Sequence, residues 1–235
     1  MEESVHAFRE AAWLLFSGDA DLWEIVWLTL RVSLTAVALA ALVGLPLAGV
    51  LALYRFPGRR AVVVGLNALM GLPPVVAGLV VYLALSRSGP LGGLGLLFTP
   101  TAMVVAQFVL VTPIVTALAR QVLEDLWREY GEQLRSLGAS PGRAIFTLLW
   151  DGRHAVATAV LAGFGRASAE VGAVLIVGGN IAHVTRVMTT AIALETSKGN
   201  LTLALALGLI LIALSVGVNG LAFLLRDLTE TRNAV

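Results

Sequence analysis

Cysteine is absent, lysine occurs once (Lys198), and charged residues make up only 13% of the 235-residue chain, about half the usual ~25%. The lack of cysteine excludes a secreted scaffold held by disulfides. The single lysine follows Ser197, so the chain has no phosphate-binding Gly-xxxx-Gly-Lys-Ser/Thr loop. His6, His154 and His183 are scattered and form no His-Glu-xx-His spacing, so no metal site is predicted. No serine–histidine constellation marks a hydrolase either. Sixteen basic residues against fifteen acidic ones leave a formal charge of +1, which argues against the basic face that nucleic acid requires.

Apolar residues, by contrast, make up 58% of the sequence, and mean hydropathy is +0.88. A soluble domain of this length still shows water much of its surface and could not hide so much apolar area. A soluble enzyme and a disordered chain are therefore excluded. The chain reads as an all-α integral membrane protein. Uncharged runs at 32–53, 61–86, 101–119 and 201–225 each reach the roughly 20 residues that a helix needs to cross a ~30 Å hydrocarbon core. A fifth stretch, 155–177, is equally apolar but carries Arg166 and Glu170. Five spans are predicted, in one membrane domain over 24–235, with residues 1–23 as an outer N-terminal segment.

Basic residues set the orientation. The loop after span 1, the loop after span 3 and the C-terminal tail together hold Arg55, Arg59, Arg60, Arg120, Arg128, Arg135, Arg143, Arg153, Arg226 and Arg232. The opposite side holds Arg9, Arg87, Arg186 and Lys198. This bias places the N-terminus outside and the C-terminus in the cytoplasm of a cell membrane. The start, Met-Glu-Glu, lacks the basic region of a cleaved signal peptide, and none is expected. Val5, Phe8, Ala12 and Leu15 recur at helical spacing and predict either a short helix in the outer interface or an outward extension of span 1.

The segment Arg120–Arg153 is the most informative. Leu123, Leu126, Trp127, Tyr130, Leu134 and Leu137 form one apolar stripe of a helix. Glu124 stands four residues before Arg128, the favourable order for an ion pair. Gly138 is placed to end that helix, and Ser140-Pro141 to begin another. An amphipathic, charged helix–turn–helix between two spans predicts either a docking surface for a cytoplasmic partner or a helix lying on the inner leaflet.

Within that segment, Glu132-Gln-Leu-Arg-Ser-Leu-Gly138-Ala-Ser-Pro resembles the "EAA" loop of ABC importer permeases. Glu132 and Gly138 stand at the family separation. Gln133 and Leu134 replace its two alanines, and Trp150-Asp151 replaces the usual Leu-Pro. Phe56-Pro-Gly-Arg-Arg60, Gly71-Leu-Pro-Pro-Val-Val76, Ser86-Arg-Ser-Gly-Pro-Leu91, Ala162-Gly-Phe-Gly-Arg166, Glu170-Val-Gly-Ala173, Val177-Gly-Gly-Asn180 and the run from Thr185 to Gly199 resemble the tungstate branch of the molybdate/sulfate/tungstate permeases.

The resemblance implies a type I importer fold, a homodimer in a prokaryotic inner membrane, and two ATP-binding subunits carrying ATP and Mg, with no cofactor on this chain. It also implies an extracytoplasmic binding protein that delivers a tetrahedral oxyanion, with tungstate expected before molybdate or sulfate. The coupling residues it implies are Glu132, Gln133, Leu134, Leu137, Gly138, Ala139, Ser140, Pro141 and Arg143. Contact with the binding protein is implied at Asn180, Thr185, Arg186 and Thr189.

Pro73 and Pro74 should kink or break span 2, leaving carbonyls free at membrane depth. They mark either a translocation path or a packing kink. Arg166 and Glu170 share a helix face and form either a structural ion pair or part of a gate. Gln107, Thr112 and Ser168 could offer neutral hydrogen bonds to an anion, although such hydroxyls usually bond their own helix. A standalone secondary carrier is the alternative class, disfavoured by the absence of an evident inverted repeat.

Overall fold

The structure, a computed structural model, describes residues 19–233, with side chains through Gly220. The expected helix over Val5, Phe8, Ala12 and Leu15 lies outside the described residues. Asp19 starts the first helix, α1 (Ala20–Leu53), by accepting the Leu22 N–H at 2.8 Å, which satisfies one of the donors left open at a helix start. The helix therefore begins well before the uncharged run, and the domain boundary expected at 23/24 falls inside it. The helices that follow are α2 (Arg59–Met70), α3 (Pro74–Leu85), α4 (Pro100–Ser136), α5 (Pro141–Asp151), α6 (Arg153–Ser168), α7 (Gly172–Gly178), α8 (Met188–Ser197) and α9 (Leu201–Asn233).

Among the described residues, α1, α4 and the 201–220 part of α9 are each long and apolar enough to cross a membrane. The pairs α2–α3 and α6–α7 bring the number of candidate spans to five if each bent pair is one span. The α2–α3 pair bends by 105° and the α6–α7 pair by 58°. The first break is the one expected from proline. Pro73 sits in an extended conformation before α3 and Pro74 is its first residue. The second break has no proline and was not foreseen.

The central pair is α1 with α4. Ala36, Ala40, Gly44, Ala48 and Ala52 recur every fourth residue of α1 and are all buried. Without a hydrophobic drive between helices in lipid, such small residues gain van der Waals contact by letting backbones approach. A Cβ on Gly44 would stand 2.8 Å from Thr116 Oγ1 and 3.6 Å from the Thr112 carbonyl oxygen. The broken spans meet in the same way, since a Cβ on Gly78 of α3 would lie 2.7 Å from Ala173 Cα of α7. Exposed Leu34, Leu42, Leu79, Val80, Leu83 and Ile212 leave an apolar exterior suited to membrane lipid.

At about 1.5 Å per residue, the 37 residues of α4 extend ~55 Å, nearly twice a ~30 Å hydrocarbon core. The helix continues past the end of its apolar run along a stripe of Leu123, Leu126, Trp127, Tyr130 and Leu134 that packs on the bundle, and the charge that ends the run is paired. Arg120 Nη1 lies 2.7 Å from Glu124 Oε2, and Arg59 donates to the other oxygen of Glu124 and, from Nε, to the Leu51 carbonyl at 2.6 Å. The expected Glu124–Arg128 pair is therefore corrected. Glu124 turns toward α1 and α2, where two partly buried guanidiniums are available, and Arg128 pairs instead with Asp125 at 3.2 Å on the surface.

Glu124→Ala leaves Arg59 and Arg120 without their carboxylate. Loss of one member of a buried pair costs about 3–5 kcal/mol, and partial exposure here (18% for Glu124) reduces the expected loss to about 1–3 kcal/mol. Arg128→Ala, at a pair more than 70% exposed, should cost less than about 0.5 kcal/mol. Thermal unfolding of the two variants in detergent checks the contrast, and equal midpoints would refute it.

Candidate functional site

The arginine-rich end of the bundle carries an elbow. Leu123 is fully buried, and Leu126, Trp127, Tyr130 and Leu134 pack around it with Ala48, Ala52, Leu148 and Ala159. The apolar stripe is thus real, except that Leu137 is 81% exposed and belongs to the outer face of the turn. The helix ends as its glycine requires. Gly138 has φ +72°, its N–H donates to the Arg135 carbonyl, and the Ala139 N–H donates to the Leu134 carbonyl, both at 3.0 Å. This is the Schellman arrangement, which uses a left-handed residue to satisfy the last carbonyls.

Ser140 is the N-cap of α5 by position, with no side-chain capping bond, and Pro141 is its first residue. Helix α5 rests on α1 where Gly49 makes room for Ile145, a Cβ at 49 being 2.5 Å from Ile145 Cγ2. It buries Ala144 and Leu148. Exposed around the turn between the two helices are Glu132, Gln133, Gly138, Ser140, Pro141 and Arg143, together with Leu137, Phe146 and Trp150, the last three each more than 65% exposed. Leu134 and Ala139 are half-buried supports. Phe146 was not singled out from the sequence. Its spacing from buried Ala144 and Leu148, two residues to either side, was the available signal.

Deeper in the bundle, the residues expected along a path converge on the second helix break. Helix α6 ends at Ser168, which is buried, and Glu170 follows with a side chain only 2% exposed. Its Oε1 accepts the Ala173 N–H at 3.0 Å at the head of α7, and its backbone carbonyl accepts Thr189 Oγ1 at 2.7 Å. Arg166 Nη2 approaches Glu170 Oε2 at 3.2 Å, an ion pair without hydrogen-bond geometry. Gln107 is buried, donates from Nε2 to the Ala167 carbonyl at 3.0 Å, and keeps an unpartnered Oε1.

The two broken spans lie side by side at this level. A Cβ on Gly172 would stand 2.9 Å from Val75 Cγ2 and 3.7 Å from Glu170 Oε1, so Pro74 and Glu170 belong to one neighbourhood. Thr112 donates to the Phe108 carbonyl of its own helix at 2.6 Å, the plainer of its two expected roles.

At the opposite end, the loop between α7 and α8 requires a correction. Thr185 and Thr189 are buried. Thr185 Oγ1 donates to the Gly178 carbonyl at 2.6 Å and accepts the Ile181 N–H. Thr185 holds the loop together from within, whereas Thr189, on α8, ties that helix to the break at 169–171; both hydroxyls are spent inside this chain rather than at its surface. Asn180 and Arg186 are partly exposed, and the outermost residues are Ile181, Ala182, His183 and Val184.

His183 Nδ1 lies 2.9 Å from Glu24 Oε2, which fastens this loop to the head of α1. That hydrogen bond and the negative charges of Glu24 and Asp21 raise the His183 pKa above its usual value. The ligand-type atoms of Asp21, Glu24 and His183 lie within 4.8 Å of one another. The sequence showed no such cluster, because His183 stands 159 residues from Glu24. Just beyond, Lys198 and Asn200 hold the buried Glu195 carboxyl below the usual carboxylate range, chiefly through the 2.9 Å Lys198 bond.

The chain is similar to known proteins along nearly its full length. A probable anion ABC transporter permease protein of Haloferax volcanii is 42% identical over 224 residues, covering 92% of this chain and 97% of its own. The tungstate uptake system permease protein TupB of Peptoclostridium acidaminophilum is 40% identical over 227 residues, covering 97% and 100%. TupB of Campylobacter jejuni is 36% identical over 212 residues, covering 90% and 89%. The family described as binding-protein-dependent transport system inner membrane component matches residues 40–229. The chain belongs to this family and is a multi-pass inner-membrane permease subunit of an ABC importer.

Proposed function

We propose that this chain imports a tetrahedral oxyanion, tungstate first, as a homodimer of five-span subunits with the N-terminus outside. The observation that carries the reading is similarity along nearly the full length to two tungstate uptake permeases. The elbow supports the coupling half of the proposal. A rigid helix end, an exposed apolar knob at Leu137 and Phe146, and flanking Glu132 and Arg143 suit a groove in an ATP-binding subunit. Two such subunits, holding ATP and Mg, would dock one on each elbow. A binding protein would meet the outer loops near Asn180 and Arg186.

The broken spans supply the path. Pairing with Glu170 tempers the charge of Arg166, and this suits conduction, because a desolvated and unpaired arginine would hold an oxyanion tightly while transport needs release. Gln107 and Ser168 offer neutral polar groups beside it. Closure of the ATPase dimer would draw the elbows together, and the breaks at 71–73 and 169–171 would let the half-helices re-angle between inward- and outward-facing states.

Reconstitution with a cognate ATPase and binding protein tests the proposal. Tungstate uptake is expected only with ATP and both partners, and in preference to sulfate at equal concentration. Uptake without the ATPase would overturn the coupled mechanism, and equal uptake of sulfate would overturn the tungstate assignment.

A further inference from the structure

We propose that a recess at the arginine-rich end binds the phosphate of an anionic phospholipid headgroup. The recess, of about 640 Å³, is lined by Ala52 to Arg55 at the end of α1, by Arg59, and by Glu124, Trp127, Arg128 and Arg135 of α4. Four guanidiniums thus face one carboxylate, and that carboxylate is already held by Arg59 and Arg120. Arg55 has no carboxylate partner among the described residues. Arg135 has none either; its guanidinium lies over the Trp127 ring, 4.8 Å from the centroid, so its N–H edges stay free while stacking fixes its plane. Arg128 has only an exposed partner, Asp125, and such pairs are weak. A phosphate fits this set, because guanidinium forks donate paired hydrogen bonds to a tetrahedral oxyanion.

Position at the end of an apolar helix points to a lipid as the source of that phosphate. The recess opens where α1 ends at Leu53, beside Tyr54, Trp127 and exposed Phe56. Aromatic residues mark the membrane–water interface, and basic pockets between spans at this level recognise anionic headgroups. A bound headgroup would also bridge the α1–α2 connection to the helix that carries the elbow.

The test uses the full chain in non-ionic detergent. Short-chain phosphatidylglycerol, phosphatidylcholine and inorganic phosphate are titrated separately, and bound molecules are counted by native mass spectrometry. Phosphatidylglycerol should bind in preference to phosphatidylcholine. Arg55→Gln combined with Arg135→Gln should weaken it about tenfold or more, whereas Arg60→Gln, an exposed arginine outside the recess, should change it less than about threefold. Equal binding of both lipids, or equal weakening by Arg60→Gln, would overturn the site. Inorganic phosphate displacing the lipid at matched concentration would overturn the lipid as its source. If the double variant does not fold, a photoactivatable phosphatidylglycerol on the native chain decides. Labelling confined to peptides spanning 52–60 and 124–137 supports the proposal, and labelling elsewhere overturns it.

Discussion

Gly138→Pro is expected to reduce ATP-driven uptake by at least about a hundredfold while leaving the chain inserted in the membrane. Residue 138 has φ +72°, and proline is confined near −65°. Proline also lacks the N–H that Gly138 donates to the Arg135 carbonyl. Both effects act at the turn between α4 and α5 and nowhere in the apolar core, so the change re-aims α5 without emptying a packed site. If Leu137 and Phe146 seat in a groove of an ATP-binding subunit, an elbow presenting them at another angle should fail to dock, and in catalysis misplacement by about 1 Å already costs ~100-fold. Gly138→Ala keeps the N–H and meets only the left-handed penalty of about 1–2 kcal/mol, so partial uptake should remain. Glu132→Arg reverses a charge on the exposed face without touching the turn and should also block coupling. Surface expression, uptake and ATPase stimulation by loaded binding protein are the measurements. Normal stimulation in Gly138→Pro would remove the elbow from the transmission path.

The apolar runs, the proline break and the glycine-ended elbow were legible in the sequence because each rests on local chemistry. Solvent decides a 20-residue run, a ring clash decides Pro74, and backbone freedom decides Gly138. The length of α4 was not legible. The run 101–119 and the stripe 123–137 each read as helical, but no local signal makes them one helix; Arg120, which ends the run, pairs one turn on with Glu124 of the same helix, and the partner that spacing does not show is Arg59 of a different helix, which shares that carboxylate. The same sharing explains why the local Glu124–Arg128 spacing misled. The every-fourth small residues from Ala36 to Ala52 were visible, but small residues are so common in such a sequence that their alignment means little until α4 is seen against them. Thr185 illustrates the opposite failure. A polar residue between helices reads as surface, whereas this tight loop turns the Thr185 hydroxyl inward to bond its own backbone.

Glu170→Ala should cost the fold about 1–3 kcal/mol, the ~3–5 kcal/mol of a fully buried pair reduced because Arg166 is partly exposed, since one carboxylate serves both the head of α7 and the Arg166 charge. Glu170 begins α7 by accepting the Ala173 N–H and stands by the Arg166 charge; alanine does neither. It leaves an open donor at the helix head and an unpaired guanidinium, 34% exposed, inside the bundle. Glu170→Gln separates the two roles. Its amide oxygen can still accept from Ala173, so the protein should survive extraction in detergent, but Arg166 now carries an uncompensated charge. If the path runs past this residue, the transported oxyanion should linger there, since a charge-assisted bond is about twice as strong as a neutral one. Uptake should fall by about tenfold while tungstate retained by the purified complex rises. Adding Arg166→Gln to Glu170→Gln removes the excess charge and should restore release toward the native rate. Gel-filtration stability of Glu170→Ala reports on the brace, and radiolabelled tungstate retention in the other two variants reports on the path. Slow uptake without retention, unrelieved by the second substitution, would leave Glu170 as a brace alone and move the path away from Arg166.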